Sequence, residues 1–545
     1  MFALVRSIRE LHHMVPDKQR GVSLLQASTV IFLLLVCAKL LNFVKKIMVG
    51  NFFGVSGVAD AFFAASYLPY YLAIFFEGVI FLGFLPMFSR IKAEKGEAAA
   101  AGCISQILVL VFITTGLLSL AVWWQAGAVM GQIVPGFKHA EMVLSVDLFK
   151  IMALVLVLIS LTSFFKALNS FYGDYGYASS SGLVDAGIMI AVILFCWKTG
   201  GIYSAAWGAV AGAFAAMLTQ GFWFFRRHLK FSAGKIFASG GSLELILFFI
   251  PIGMIWFFQQ IPFVILNRFG SGMWAGTISA LTIAYTMTTV PTGLVSHTVL
   301  FAIFPSFAKQ AGENEIENLR DTFFGTLRAG FLILIPVGFL LTALASPLAV
   351  VFFEGGGITV EGTRRVANSL ICFGWATFAL YADLFMAQSL ISVRKAWPAI
   401  ILCASRAVLT YGIGYFLSTY WDYQGLALSF SLAMVINFVF FFPLILRSSP
   451  FRGRWKALLG MTLKAFAASL PIVAMGIAVN RYPILSWLKL SKTVSCLVIA
   501  GVAAVGCAAY FCILYGLKVS ELRAVAGRLK QGWIRKDWTF AEDYV

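Results

Sequence analysis

Charge is what this sequence has least of. Aspartate, glutamate, lysine and arginine make up 12% of its 545 residues, while 60% are hydrophobic; a soluble domain carries roughly 25% charged residues. A soluble multi-domain enzyme is excluded on that ground. Histidine is scarcer still: the five are His12, His13, His139, His228 and His297, and only the first two are neighbours. There is no His/Asp/Glu cluster, no nucleophile motif and no phosphate-cradling glycine loop, so no catalytic residues, no metal site and no cofactor are expected. The run Gly355-Gly356-Gly357 reads as a turn. All eight cysteines (Cys37, Cys103, Cys196, Cys372, Cys403, Cys496, Cys507, Cys512) fall in apolar runs and read as small buried hydrophobes rather than disulfides or ligands. Segment 1–21 lacks the unbroken apolar stretch and small-residue cleavage site of a signal peptide, and is expected to lie on the membrane as an interfacial helix.

Apolar runs of membrane-spanning length are what is abundant. Fourteen can be counted, at 22–44, 58–85, 102–124, 147–168, 178–197, 201–225, 242–266, 274–303, 328–350, 367–390, 396–418, 423–446, 458–479 and 494–517. The fold class is therefore an all-α polytopic membrane protein of about 14 transmembrane helices. The net charge of +18 does not signal nucleic acid, because the cations sit in alternate loops: Arg90, Lys92 and Lys95, then Arg226, Arg227, Lys230 and Lys235, then Arg447, Arg452, Arg454 and Lys456. That is the positive-inside pattern, which places both termini in the cytoplasm and leaves anionic membrane lipids as the partner of the excess charge.

The chain also repeats itself. Pro86 and Pro305, Phe88 and Phe307, and Arg90 and Lys309 share an offset of 219 residues, and the same shift brings Ala206-Trp207-Gly208 onto Gly425-Leu426-Ala427. A parallel duplication of six spans accounts for all of these. The expected organisation is a cytoplasmic interfacial segment (1–21), an N-lobe (22–225, spans 1–6), a cytoplasmic linker (226–241), a C-lobe (242–446, spans 7–12), two further spans (447–517) and a cytoplasmic basic tail (518–545). The charged stretch 306–326 reads as an amphipathic cytoplasmic connection. Pro251, Pro262 and Pro291 with Gly293 are expected to break their helices and let a lobe rock.

Charges inside the spans are the candidate functional residues, since an ionisable side chain at mid-bilayer costs roughly 2.5–3.5 kcal/mol and normally faces a wet cavity. Lys39 lies within the first apolar run, and Lys46, seven residues on, shares its helical face. Lys45 stands beside Lys46, and this pair reads either as cavity cations or as interfacial anchors. Asp60 and Glu77 bracket the second span. Asp60 reads as the cap of its own helix, as half of an ion pair or as a gate. Asp185, Asp383 and Arg406 lie deep in later runs, and Asp383 and Arg406, on adjacent spans, are expected to pair with each other. Cations in such a cavity point to an anionic visitor.

The block Ala59-Asp60-Ala61-Phe62-Phe63-Ala64-Ala65, with Leu68-Pro69, Glu77-Gly78 and Phe84-Leu85-Pro86, resembles the N-terminal signature of the MurJ/MviN family. Val290-Pro291-Thr292-Gly293, Phe304-Pro305-Ser306 and Gly425-Leu426-Ala427-Leu428-Ser429 extend the similarity along the chain. The resemblance implies a multi-pass protein of the bacterial inner (plasma) membrane: two six-helix lobes plus two C-terminal helices, around a cationic cavity. It further implies a flippase, not an enzyme, that moves an undecaprenyl diphosphate-linked saccharide, lipid II or a relative, by alternating access. Lys39, Lys45 and Lys46 would bind the substrate, with Asp60, Glu77, Asp383 and Arg406 as gates or ion pairs. A monomer is expected, with envelope-synthesis enzymes as partners.

Two positions depart from the family. Tyr70-Tyr71-Leu72-Ala73-Ile74 follows Leu68-Pro69 where the family usually has an arginine pair, and Ala284-Tyr285-Thr286 stands where it has Ala-Asp-Arg. Lysine supplies a point charge where arginine would give a bidentate fork. Export of a different lipid-linked surface glycan and a non-transporting scaffold of an envelope assembly complex therefore stand as alternatives.

Overall fold

The structure, a computed structural model, describes residues 20–228, 242–313, 315–353, 356–393, 395–448, 451, 455–481 and 492–519. Apart from their edges, the expected interfacial segment 1–21, linker 226–241 and tail 518–545 lie outside the described residues. Among the described residues every regular element is helical. Hydrocarbon imposes this, since no water is present to take backbone N–H and C=O groups and each segment must satisfy its own.

The first half comprises α1 (Arg20–Phe53), α2 (Gly57–Val79), one π-helical turn (Ile80–Phe84), α3 (Leu85–Trp124), the short α4 (Ala126–Ile133), α5 (His139–Phe171), α6 (Tyr175–Gly200) and α7 (Tyr203–His228). The second half comprises α8 (Ser242–Gly270), α9 (Thr277–Gly312), α10 (Ile316–Ala343), α11 (Ala345–Phe353), α12 (Val360–Gly374), α13 (Thr377–Ser392) and α14 (Ala396–Ser448). Two further helices follow, α15 (Trp455–Arg481) and α16 (Lys492–Gly516).

All fourteen apolar runs fall on these helices. Among the described residues ten helices are long and apolar enough to cross a membrane, and the pair α12 and α13, bent by 55°, makes eleven. α14 carries two runs. It turns back at Trp421 and Asp422, the latter with φ of 48°, so that Gly425 lies directly against the Leu417 carbonyl.

Local chemistry sets several starts and stops. Ser56 accepts the Ala59 N–H at the head of α2, Thr359 accepts the Gly362 N–H at the head of α12, and the Glu141 carboxylate accepts the Lys138 N–H before α5. Each supplies a partner to an amide that the first helical turn leaves without one. The expected proline breaks do not occur: α8 and α9 run through Pro251, Pro262 and Pro291. Irregularity falls instead at the π turn, at Gly96 with φ of 77°, and at Trp421. At Gly96 only a residue without a Cβ adopts that conformation cheaply. The stretch 306–326 is also shorter as a connection than expected, because α9 and α10 extend into it as far as Gly312 and from Ile316.

Packing repeats between the halves. In the first, α1 lies on α6, α2 on α5 and α5 on α7; in the second, α8 lies on α14, α9 on α12 and α12 on α14. These are the same pairs, six spans further on. α15 and α16 pack on each other and on α10. Lipid tails are as apolar as leucine, so these contacts rest on close van der Waals fit rather than on hydrophobic expulsion. In the C-lobe the Phe323 ring stacks on Phe451 with centroids 4.2 Å apart, and Phe385 and Phe442 complete the cluster. The two lobes meet through α1 and α2 on one side and α8 and α9 on the other.

Candidate functional site

α1 brings the first-span lysines to the seam between the lobes. Lys39 and Lys46 are two turns apart, about 10 Å along the axis. Both face α9 of the other lobe. The Lys46 ammonium donates to the Thr286 hydroxyl at 3.1 Å, and the Lys39 ammonium lies beside Gly293. Thr286 and Gly293 are themselves seven residues apart, so the antiparallel helices hold the two cations in matched register.

Lys45, one residue from Lys46 and therefore about 100° round the helix, points elsewhere. It forms a buried ion pair with Asp185 of α6 at 2.9 Å and lies 5.7 Å from the Tyr70 ring centroid. The three lysines expected to act together thus divide: Lys45 is neutralised inside its own lobe, while Lys46 has a neutral hydroxyl partner.

A further cation stands at this seam with little in the sequence to mark it. Lys166 of α5 pairs with Glu77 of α2 at 2.9 Å, and both lie within electrostatic range of Lys39. Its only sequence signal was a place near the end of the fourth apolar run, where a lysine reads as an ordinary interfacial residue. Around Lys39 the Lys39 and Lys166 ammonium groups thus lie within range of one carboxylate, Glu77.

Asp60 does not cap its own helix, a position taken by Ser56. Its carboxylate crosses the seam and accepts the backbone N–H groups of Gly276 at 2.7 Å and Ser279 at 2.6 Å, at the start of α9. It caps a helix 219 positions away, because the amide-rich, partially positive end of α9 is presented to it by the other lobe. The same face is closed by the Gly357 N–H donating to the Asn51 carbonyl at 2.5 Å, by Arg268 donating to the Gln132 carbonyl at 2.7 Å, and by the Gly136 N–H donating to the Ser271 hydroxyl at 3.1 Å. A cleft of about 560 Å³ lies over it, lined by Asp60, Lys138, Glu141, Trp274 and Asp422 among others.

Toward the opposite face α2 and α8 touch. The Tyr67 and Tyr71 hydroxyls donate to the Gln260 and Phe257 carbonyls at 2.9 and 2.8 Å. Gly78 leaves the space in which a Cβ would meet the Trp256 ring at 2.6 Å. The lobes are thus in contact on both sides of the lysine ladder. Asp60→Ala, which removes one cross-lobe cap worth about 1 kcal/mol, is expected to loosen the Asn51 face. Spin labels on α4 and α8 should show a longer-distance population, and an unchanged distance distribution would count against a latch at Asp60.

Asp383 and Arg406 do pair, and they do so wholly inside the C-lobe. Arg406 donates to the Asp383 carboxylate and, at 2.5 Å, to the Gln259 carbonyl; Asn437 donates to the other Asp383 oxygen at 3.2 Å. Both side chains are 3% exposed, and Arg406 stands behind the contact of α2 with α8, bonded to Gln259 next to the Gln260 that Tyr67 reaches. No group of three or more histidine, cysteine, aspartate or glutamate side chains placed to hold a metal occurs among the described residues.

Comparison with known proteins gives this arrangement a family. A family model described as lipid II flippase MurJ matches residues 49–499. A probable lipid II flippase MurJ of Borreliella burgdorferi is 26% identical over 75% of this chain and 81% of its own length. Another from Rhizobium meliloti is 22% identical over 91% and 94%. Among solved structures, a lipid II flippase MurJ in an inward closed conformation superposes with a TM-score of 0.72 at 17% identity, covering 88% of this chain and 98% of that one. An inward-facing multidrug resistance MATE family transporter superposes with a TM-score of 0.62 at 15% identity, over 75% and 94%. With the family model spanning most of its length, the chain belongs to the MurJ family.

Proposed function

We propose that this protein moves lipid II, a polyprenyl diphosphate-linked saccharide, from the cytoplasmic to the outer leaflet of the bacterial inner membrane by alternating access. The observation that carries the reading is the lysine ladder: Lys39 and Lys46 stand between the lobes, in register against α9, and among the described residues neither is closed in an ion pair as Lys45 is. A diphosphate needs such a place. Loop charge supports an orientation with both termini cytoplasmic, which puts the Glu77 face inside and the Asn51 face outside. The Asp60 cap then belongs to the outer gate, and the contacts of α2 with α8 belong to the inner gate.

In this reading the diphosphate enters from the Glu77 side, binds Lys39 and then Lys46, and leaves when α9 parts from Asp60. The polyprenyl tail stays in the lipid throughout. A potential negative inside assists an outward-moving anion by about 2.3 kcal/mol per charge per 100 mV. The protein supplies binding and gating and makes or breaks no covalent bond. One chain contains both lobes and the whole ladder, which supports a monomer, with envelope-synthesis enzymes delivering and removing substrate. The absence of the arginine pair after Leu68-Pro69 favours a second reading, in which the cargo is a related lipid-linked surface glycan.

Replacement in the cell separates these readings. Expressed in a bacterium depleted of its own lipid II flippase, the protein is expected to sustain growth and cell shape. Lysis at a membrane abundance where a known flippase rescues would reject lipid II as the substrate.

A further inference from the structure

Among the described residues, three ion pairs that join the membrane-embedded helices differ in exposure. Arg406 and Asp383 are 3% exposed each, and Lys45 and Asp185 are 8% and 17% exposed. Lys166 and Glu77 are 29% and 34% exposed, which makes theirs the open pair of the three. It sits near the end of α2 and the end of α5, with the Lys166 ammonium 5.4 Å from the Phe81 ring centroid in the π turn. Such turns interrupt helices disproportionately at functional sites. Lys39 is the next cation along the seam, within electrostatic range of both members.

We infer that Lys166 and Glu77 form a counter-ion-exchange station for the diphosphate at the cytoplasmic mouth of the path, with Glu77 holding Lys166 until the substrate displaces it. The inference rests on the flippase reading and adds to it a first binding step on residues outside the first-span ladder. Charge makes the exchange favourable. With Glu77 in place, Lys166 and Lys39 share one carboxylate; once Glu77 swings aside, two ammonium groups face a ligand with two negative charges and several acceptor oxygens. A partly exposed pair is held only weakly, so little is lost on breaking it, and the hydrogen bonds gained are charge-assisted. When the diphosphate moves on to Lys39 and Lys46, Glu77 recloses on Lys166, so that the mouth is not left as an unfilled cation.

The two members therefore have opposite expected effects, which a merely structural salt bridge would not show. The full chain in lipid nanodiscs is titrated with undecaprenyl diphosphate lacking any saccharide. Lys166→Ala should raise Kd about tenfold, the effect of losing one charge-assisted contact. Glu77→Gln, which keeps shape and removes the competitor, should lower Kd several-fold, and Lys166→Arg should bind as the wild type does. If both substitutions weaken binding, the pair is a brace and the inference is overturned; if both leave Kd unchanged while the wild type binds, the inference fails and the flippase reading stands. A wild type that neither binds undecaprenyl diphosphate nor translocates lipid II overturns that reading and the station with it.

Discussion

Arg406→Leu is expected to destabilise the protein by roughly 3–5 kcal/mol, the usual cost of removing one partner from a buried pair. The Arg406 and Asp383 side chains are both buried. Without the guanidinium, the Asp383 carboxylate keeps only the Asn437 amide, and the Gln259 carbonyl loses its donor. Nothing apolar around them can take up a bare charge. Melting of the purified chain in detergent should show a large drop. Arg406→Leu combined with Asp383→Asn should recover most of it, because the remaining groups are neutral. Since the cluster joins α8, α13 and α14 inside one lobe and touches neither Lys39 nor Lys46, the molecules that still fold should translocate substrate at a near-normal rate. A melting temperature unchanged by Arg406→Leu would show that the pair does not hold the C-lobe together.

Lys39→Ala with Lys46→Ala is expected to reduce translocation at least 100-fold while leaving the fold intact. Hydrogen bonds to charged groups contribute about 1.5–3 kcal/mol each, so either single change should cost tenfold or more. The two are close enough along α1 to share one ligand, which makes simple addition unsafe. Arginine at either position should restore function, since it returns the charge with more donors. Lys45→Ala gives the contrasting case. It strands Asp185 inside the N-lobe, so its expected signature is a lower melting temperature rather than a slower rate per folded molecule. Initial rates normalised to folded protein separate the two outcomes.

Why Lys45 and Lys46 differ was not legible in the sequence, because adjacent lysines at the end of one apolar run look alike until their neighbours are placed. Periodicity and length made the all-helical, many-span class legible, since hydrocarbon tolerates little else, while the count of fourteen compares with ten or eleven helices of spanning length among the described residues. Prolines do not mark the breaks. Inside a span the freed carbonyl can be satisfied by neighbouring helices and small backbone adjustments, and the chain bends instead at Gly96 and Trp421. Lys39 stood out because a charge within an apolar run has no cheap explanation. Lys166 had a cheap explanation, near the end of its run, and its pairing with Glu77 follows from α2 packing on α5. Asp60 stands at a helix start, which suggests a cap of its own helix, but the helix it caps belongs to the other lobe. The partner residue, Ser279, lies at the very offset that relates the two repeats, so the cap forms where equivalent positions of the duplicated halves meet.

The most direct test is headgroup translocation in proteoliposomes. The purified wild-type chain is reconstituted with fluorescently labelled lipid II in the leaflet that its Glu77 face contacts, and appearance of the headgroup on the far side is followed under an imposed potential. The lysine ladder predicts transfer that depends on the chain, is faster with the far side positive, and falls to the protein-free rate in the Lys39→Ala, Lys46→Ala double variant. Transfer by the double variant at the wild-type rate, with both proteins folded and equally inserted, would contradict it.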